Sequence, residues 1–486
     1  MGIENVQSLF KKRSFGSTSS LEEIFATDEN NSAHTIKSGS IKLQANKRPK
    51  PLDKEAPFQL DELFFSVTDL KSRITYANET FIRISGYQKD ELLNELHNII
   101  RHPDVPRTIF KVLWDYLLAD KPVAAYVKNL AKDGSYYWVM AMVFPCKDGY
   151  LSIRLKPDST LFPMIRDFYK EILAYEKDQE IKTDKRKAMD LTLDHLLNRL
   201  KEMGYHSYDE FMWSALGKEM LNRERYLKNN KIDLYSRNQD SDLHMYQSIL
   251  AELLESTESL TEMQKLLFEH SNYLLNLAKT ISRLAVNAQI GSSKLDQKHR
   301  HLSVVADNMG SESEIGEKKL TALQNRVTEL NSLLNALSFN IVSSKLQVEM
   351  AIDFTEEIIN KSKQDKQILT NEECLKLLHN AYKPHIASML SQMDELPVMF
   401  NKLKIGVEDI SKLLQSLRFI HITGIIEISR LNDKDNSFAN TFNELIRQIE
   451  YAELKMDELS GFLQSKLDVC RILLSHQPDI RKVLAG

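Results

Sequence analysis

The sequence predicts an α+β domain built on one antiparallel five-stranded sheet with short helices, followed by an all-α region of long coiled-coil or bundled helices. Glycine (15) and proline (12) are scarce among 486 residues, and 27% of the residues are charged, which favours long solvated helices. Strand-like runs separated by turn residues are confined to about 57–160. Beyond about residue 240, apolar residues recur in alternating steps of three and four, the spacing of a coiled-coil seam.

Net charge, cysteine content and hydropathy narrow the function classes. The formal net charge is −4, from 64 basic and 68 acidic residues, so we expect neither nucleic acid nor an anionic membrane as partner. Cys146, Cys374 and Cys470 are far apart in sequence and predict neither a disulfide framework nor a metal site. No run of about 18 apolar residues predicts a membrane helix, and no signal-peptide core follows the N-terminus. We therefore expect a cytoplasmic protein that binds proteins or a small ligand.

Composition divides the chain into four segments. Residues 1–56 mix polar and charged side chains without apolar periodicity and are predicted to be a disordered tail. Residues 57–160 hold the strand-like runs, and 161–240 predict a helical connector interrupted near Gly204. Residues 241–486 predict the long helices. A chain of this length is too long for one compact core.

Five short runs within 57–160 are apolar or alternating and are bounded by turn residues, as expected of strands. Asp133-Gly134 and Asp148-Gly149 separate the last three runs, and an Asp-Gly pair favours a tight hairpin. Two strands, short helices and then three strands predict an α+β domain with a single sheet. The runs are Phe64–Thr68, Ile74–Ala77, Ala124–Asn129, Tyr136–Val143 and Tyr150–Leu155.

Three stretches of the C-terminal half carry a regular apolar seam: Leu243–Leu260, Leu320–Ile358 and Phe442–Leu463. A lone helix with such a stripe would expose it to water, so the stripes must meet each other or a second copy of the chain. We expect a homodimer.

The stretch from Ile74 to Tyr87 resembles the opening of a PAS domain. In that family an asparagine, here Asn78, caps the turn from the second strand into the first helix. The resemblance implies that Phe81 and Tyr87 close the core beneath this turn.

A second resemblance rests on a polar segment around a proline-flanked turn and on four later motifs. These are Leu96–Pro106, Phe110, Trp114, Val127–Asn129 and Gly134–Val139. Over about 100 residues they look like the PAS domain of the bacterial aerotaxis receptor and its soluble relatives. That domain holds FAD, and the resemblance implies that Arg101, His102 and Asp104, with Asn98 and Trp114, bind the cofactor here.

The residue types suit such a ligand. A guanidinium group binds phosphate bidentately, histidine and aspartate bond ribose or ring atoms, and tryptophan covers an aromatic face. The alternative is structural, with Arg101 and Asp104 pairing across the turn. Where the family has Pro-Trp and a glycine this chain has Pro122 to Ala125, and Leu130-Ala131 replaces a basic pair. FAD, a domain without cofactor, and another small ligand or haem therefore all stay open.

The segment Leu337–Met350 looks like a diverged version of the hairpin tip of methyl-accepting chemotaxis proteins. Leu337 and Asn340 match the family, whereas Ser344, Gln347 and Met350 replace its charged tip residues. The resemblance implies a chemoreceptor-like signalling region, with chemotaxis coupling protein, kinase or another signalling protein as partner.

Enzymatic output is the main competing class, because PAS domains commonly precede kinases and cyclases. The sequence has no phosphoacceptor histidine motif, no glycine-rich nucleotide lid and no Gly-Gly-Asp-Glu-Phe or Gly-Lys-Ser run. We therefore predict a non-enzymatic sensor of redox state, oxygen or a small ligand. The alternative is a scaffold without cofactor that binds and oligomerises partner proteins.

Overall fold

The computed structural model describes residues 49–205, 207–232, 241–293, 300–360, 368–430 and 436–485. Most of the predicted tail, residues 1–48, lies outside this range. The chain divides into two units: one runs to Ala251 and includes Val342–His385, and the other holds Glu252–Ile341 with Ile386–Gly486. The first of these units contains the predicted sheet domain.

The sheet has five strands, all paired antiparallel, in the order β2-β1-β5-β4-β3. This confirms the predicted α+β domain with a single sheet. Asp133-Gly134 turns β3 into β4, and Gly134 has φ +90°, a conformation that glycine adopts without steric cost. The strands are β1 Leu63–Asp69, β2 Ile74–Ala77, β3 Val123–Leu130, β4 Tyr136–Cys146 and β5 Gly149–Leu155.

The last residues of the predicted tail lie beside the sheet. The Leu52 amide donates to the Gly134 carbonyl (2.7 Å), and the Ala56 amide donates to the Tyr136 carbonyl (2.7 Å). These bonds extend the sheet domain at its N-terminal end to about residue 52.

Short helices between β2 and β3 cover one face of the sheet: α1 Glu79–Ser85, α2 Lys89–Leu92, a 3₁₀ turn His97–Ile100 and α3 Arg107–Leu118. We call this the inner face. The Asn78 side chain accepts from the amides of Phe81 (3.3 Å) and Phe65 (3.1 Å). Asn78 therefore caps α1 as predicted and also fixes α1 to β1.

The opposite, outer face of the sheet is covered by two of the three connector helices, α4 Phe162–Lys182 and α6 Tyr208–Asn229, while α5 Lys185–Glu202 packs on α4 and α3. Phe162 of α4 stacks on Tyr126 (centroids 5.9 Å apart) and meets Trp138 edge-on at 5.5 Å. On α6, the Tyr208 hydroxyl donates to the Ala124 carbonyl (3.1 Å). Helix α4 therefore packs directly on β3 and β4, and α6 packs on β3.

Two buried carboxylates of the connector bind backbone amides of the sheet domain and of the turn that follows it. Glu176 of α4 accepts from the amides of Arg107 (2.8 Å) and Thr108 (2.9 Å), at the start of α3. Glu219 of α6 accepts from the amides of Asp158 and Ser159, both at 2.8 Å. Because the first amides of a helix lack partners within it, Glu176 supplies the cap that Pro106 cannot.

The remainder of the chain forms long helices: α7 Ser241–Ser293, α8 Arg300–Asn360, α9 Asn371–Ser429, α10 Asn436–Ser475 and α11 Gln477–Ala485. In the second unit, α7, α8, α9 and α10 pack side by side, each against the next, and α10 packs against α7. The Gly310 backbone of α8 faces Gln289 of α7, and Gly316 faces Leu413 of α9. Between α9 and α10, Arg418 pairs with Glu453 (2.6 Å). The rings of Tyr273 of α7 and Tyr451 of α10 lie 5.3 Å apart, so this unit is a four-helix bundle.

The predicted seam positions are buried along α7, α8 and α10 for most of their length, as Leu323, Leu330, Leu445 and Leu459 illustrate. Within the described residues, no helix is long and apolar enough to cross a membrane.

The predicted hairpin tip is wrong. Leu337–Met350 lies inside the unbroken helix α8, which continues to Asn360, and the next described helix, α9, begins at Asn371. The segment contains no glycine or proline, and its seam spacing continues on both sides, so nothing in it ends the helix.

Candidate functional site

A cavity of about 100 Å³ lies on the inner face of the sheet. Strands β1, β3, β4 and β5 form its floor, and the 3₁₀ turn and α3 form its wall. None of the residues that line it is acidic, whereas Arg101 and Arg154 both contribute guanidinium groups. The described lining is therefore positively charged and otherwise apolar, aromatic or neutral.

Arg154 on β5 is the most deeply placed charge, with 3% of its surface exposed. Its guanidinium donates to the Ser66 hydroxyl (3.1 Å) and to the Ser152 carbonyl (3.3 Å). The rings of Phe64 and Phe81 lie 5.4 and 5.3 Å away. Among the described residues no carboxylate pairs with Arg154, and burial lowers its pKa to about 10. A buried cation without a protein anion favours an anionic or electron-rich ligand.

His97 completes the polar floor. Burial first, and then the charge of Arg154, lower the pKa of His97 well below its ordinary value. Its ring is therefore neutral at physiological pH, and its Nε2 accepts from the Arg154 guanidinium at 2.7 Å. Two residues before Arg154 on β5, the Ser152 hydroxyl is buried and has no hydrogen-bond partner in the part of the chain that the structure describes. A ligand atom in the cavity would satisfy it.

Aromatic and amide side chains form the rim. The guanidinium carbon of Arg101 lies 4.3 Å from the Phe110 ring centroid. Trp114 meets Tyr150 edge-on at 5.3 Å. The side chains of Asn98 and Asn129 also line the cavity, and amides bond both the donors and the acceptors of a heteroaromatic edge.

The five residues implied by the resemblance fall into two groups. Asn98, Arg101 and Trp114 line the cavity. His102 and Asp104 do not, and their part in binding a cofactor stays a prediction.

His102 and Asp104 form a separate cluster with Lys128. The Lys128 ammonium pairs with the Asp104 carboxylate at 2.6 Å, and the Asp104 amide donates to His102 Nδ1 at 3.1 Å. Burial, followed by the charge of Lys128, lowers the pKa of His102 to about 4, although Asp104 opposes this. His102 is therefore a neutral acceptor that holds the proline-flanked turn.

Sequence reasoning missed His97, Asn129 and Arg154 as cavity residues. Arg154 carried a usable signal, because it stands in a strand otherwise predicted to be buried and shares the face of Ser152. No local pattern marks His97, which pairs with a residue 57 positions away.

Comparison with known families supports the fold. Residues 74–150 match the family model described as the PAS fold, which confirms the PAS resemblance. The chain thus contains a PAS domain within its sheet domain.

Relatives share this part of the chain. The aerotaxis receptor of Escherichia coli (strain K12) is 36% identical over 138 residues, which is 27% of this chain and 27% of the relative. A nitrogen fixation regulatory protein of Klebsiella pneumoniae is 36% identical over 80 residues, or 16% of each chain. A solved PAS domain from Colwellia psychrerythraea, at 20% identity and TM-score 0.17, covers 19% of this chain and 85% of its own. The similarity thus spans about a quarter or less of the curated relatives.

The described residues contain no group of three or more His, Cys, Asp or Glu side chains arranged to hold a metal ion. The cavity and its rim are therefore the candidate binding site.

Proposed function

We propose that this chain is a cytoplasmic, non-enzymatic sensor whose PAS cavity binds a flavin, FAD, and whose helices pass the cofactor state to a signalling partner. The observation that carries the proposal is the cavity itself, where Arg154 is buried without a protein anion. The names of the relatives, an aerotaxis receptor and a regulatory protein, favour sensing of redox state or oxygen.

The lining suits a flavin. Asn98 and Asn129 offer amides to an imide edge, and Trp114 offers an aromatic face. Arg101 at the rim suits a phosphate, and the buried Ser152 hydroxyl awaits a partner. A bound flavin would supply reversible redox chemistry, and Arg154 would stabilise negative charge on a ligand above it. The cavity volume of about 100 Å³ is close to that which holds one aromatic ring, so a smaller ligand is the alternative occupant.

Relay through the helices follows from the contacts of α4 and α6 with the sheet. A ligand that binds two arrangements of the domain unequally shifts their populations, and α3, which carries Phe110 and Trp114, is capped by Glu176 of α4. A chemotaxis coupling protein or kinase is the proposed partner class, through a chemoreceptor-like bundle.

We also propose a homodimer formed through α9. Val398, Ile405, Phe419 and Ile426 are exposed apolar residues spaced by seven or fourteen positions, and Lys412 between them can extend its charge past an apolar stem. A seven-residue repeat on the outside of a bundle matches a coiled-coil partner. Phe419→Glu is expected to shift the chain from dimer to monomer in sedimentation, whereas Glu408→Gln is the control. A monomeric wild type would contradict the dimer.

The decisive experiment for the sensor is spectroscopic. The purified chain is expected to absorb near 450 nm and to lose that band on reduction with dithionite. A colourless protein that also fails to bind added FAD would overturn the flavin proposal and favour the scaffold that binds partners without a cofactor.

Arg101→Ala tests the cavity rim. Because a charge-assisted hydrogen bond contributes about 1.5–3 kcal/mol, FAD affinity is expected to fall about 10- to 100-fold, measured by fluorescence titration of apoprotein. Arg83→Ala removes an exposed arginine of the same domain, paired with Glu62, and should bind as the wild type does. Equal affinity in the two variants would remove Arg101 from the site.

A further inference from the structure

Residues 342–352 of α8 lie against α6 and the sheet domain and have no solvent-facing side. Every residue from 342 to 352 is buried, although the stretch includes Lys345, Gln347 and Glu349, each 0% exposed. Buried charges persist only when they are paired. The ion pairs of this stretch therefore determine whether α8 remains packed against the sheet domain.

Four charged side chains form what we call the ion cluster: Arg223 and Glu224 of α6 with Lys345 and Glu349 of α8. Arg223 pairs with Glu349, and Lys345 bridges Glu349 (2.5 Å) and Glu224 (3.1 Å). Arg223 also donates to the carbonyls of Leu60 and Asp61, both at 3.0 Å, just before β1. Two cations and two carboxylates thus balance, and they join α6, α8 and the sheet domain.

Two further contacts lie one and two turns beyond the ion cluster on α8. The Phe354 ring meets Phe65 edge-on at 4.9 Å. Glu357 accepts from the Asn78 side-chain amide (3.3 Å) and from the Glu79 backbone amide (3.2 Å). Glu357 therefore holds the start of α1 together with the residue that caps it.

The same stretch also contains polar groups that the closed arrangement leaves unsatisfied. Both amide atoms of Gln347 and the Ser343 hydroxyl are buried without a hydrogen-bond partner among the described residues. Such groups lose hydration on burial and gain nothing in return. They oppose closure, whereas removing one member of a buried ion pair strongly favours opening.

We propose that the ion cluster is a releasable latch that holds residues 342–358 of α8 against the sheet domain. When the latch opens, the unsatisfied amide and hydroxyl return to water, and the outer face of β1 and β2 around Phe65 and Tyr76 is uncovered. The latch does not depend on which ligand the cavity takes.

Amide hydrogen exchange on the full chain without added ligand measures the latch, because local exchange reports local opening. Arg223→Met is expected to raise exchange over 342–358 by about 100-fold or more, while β4 and β5 stay protected. Gln347→Leu is expected to slow it about 10-fold, because it removes the unsatisfied amide. Arg199→Met, which removes an arginine paired with Glu171 on the connector, should leave this segment unchanged.

The triple variant Arg223→Met, Lys345→Met, Glu349→Leu tests whether faster exchange comes from broken ion pairs or from unfolding of the domain. It replaces the three fully buried members of the ion cluster and leaves Glu224, whose side chain is 12% exposed. Because replacing buried ion partners together by apolar side chains is commonly neutral or stabilising, the segment should be as protected as in the wild type even if Arg223→Met alone unfolds the domain. Rapid exchange in the triple variant, or no change in Arg223→Met, would overturn the latch. A colourless protein that fails to bind added FAD but passes this test would overturn the flavin and leave the latch intact.

Discussion

Glu219→Ala is expected to lower the free energy of unfolding of the sheet domain and connector by about 4 kcal/mol or more. The Glu219 carboxylate accepts from the Tyr126 hydroxyl (2.7 Å), the Ser159 hydroxyl (2.6 Å) and two backbone amides. Hydrogen bonds to a charged group contribute about 1.5–3 kcal/mol each, and the abandoned donors stay buried. Tyr126 shows the same environment, because burial and then Glu219 raise the pKa of its hydroxyl.

Urea unfolding followed by tryptophan fluorescence measures this loss, since the three tryptophans are Trp114, Trp138 and Trp213, all in the sheet domain and connector. Glu219→Gln keeps one acceptor oxygen and should lose about half as much. A loss below about 1 kcal/mol in Glu219→Ala would show that water replaces the carboxylate. Such a small loss would mean that Glu219 does not hold β3, α4 and α6 together.

The sequence predicted the sheet domain well because its signals are local. Asp-Gly pairs mark both hairpins of β3 to β5, and Asn78 stands where the α1 cap requires it. The seams of the long helices were equally visible, because burial follows the step of three and four. The hairpin tip was placed wrongly, since a resemblance in side chains says nothing about where a helix ends.

The site was only half predictable, for a related reason. Arg101, Asn98 and Trp114 were found through a linear motif. Arg154 reaches His97 from a strand 57 positions away, and no periodicity encodes that pairing.

Long-range carboxylates were the largest omission. Glu176 caps α3 from 68 residues away in sequence, and Glu357 reaches α1 from 278 residues away. Each reads in sequence as one more exposed helix glutamate. Only the packed structure shows that Glu176 of the connector caps α3, which has no cap of its own, and that Glu357 of α8 adds to the Asn78 cap of α1.

Asp353 is expected to make the stability of the sheet domain and connector fall as pH rises. Burial raises the pKa of Asp353 to about 8, and Glu349, Glu356 and Glu357 add to this, while Arg223 opposes it. In the described residues no hydrogen bond or ion pair reaches its carboxylate, because Arg223 is engaged by Glu349. Although burial opposes it, Arg223 and Lys345 keep the pKa of Glu349 below its ordinary value. Asp353 therefore holds the proton and Glu349 the charge.

The sign follows from linkage. An unfolded aspartate releases its proton near pH 3.9, whereas folded Asp353 keeps it to about pH 8. The folded state binds more protons between these values, so stability falls as pH rises through this window and levels off above it. One pKa unit is worth about 1.4 kcal/mol, and we expect Asp353 to account for a loss of about 2 kcal/mol or more between pH 5 and pH 9.

Asp353→Asn isolates this effect, because an amide mimics the protonated acid at every pH. Urea unfolding followed by tryptophan fluorescence should show that the stability of the variant relative to the wild type rises by about 2 kcal/mol or more between pH 5 and pH 9. Asp167→Asn, on the exposed side of α4, should keep the wild-type pH dependence. If the Asp353→Asn and wild-type curves instead run parallel, Asp353 is ionised in the folded chain, and the excess carboxylates beside the ion cluster are balanced by solvent rather than by a proton.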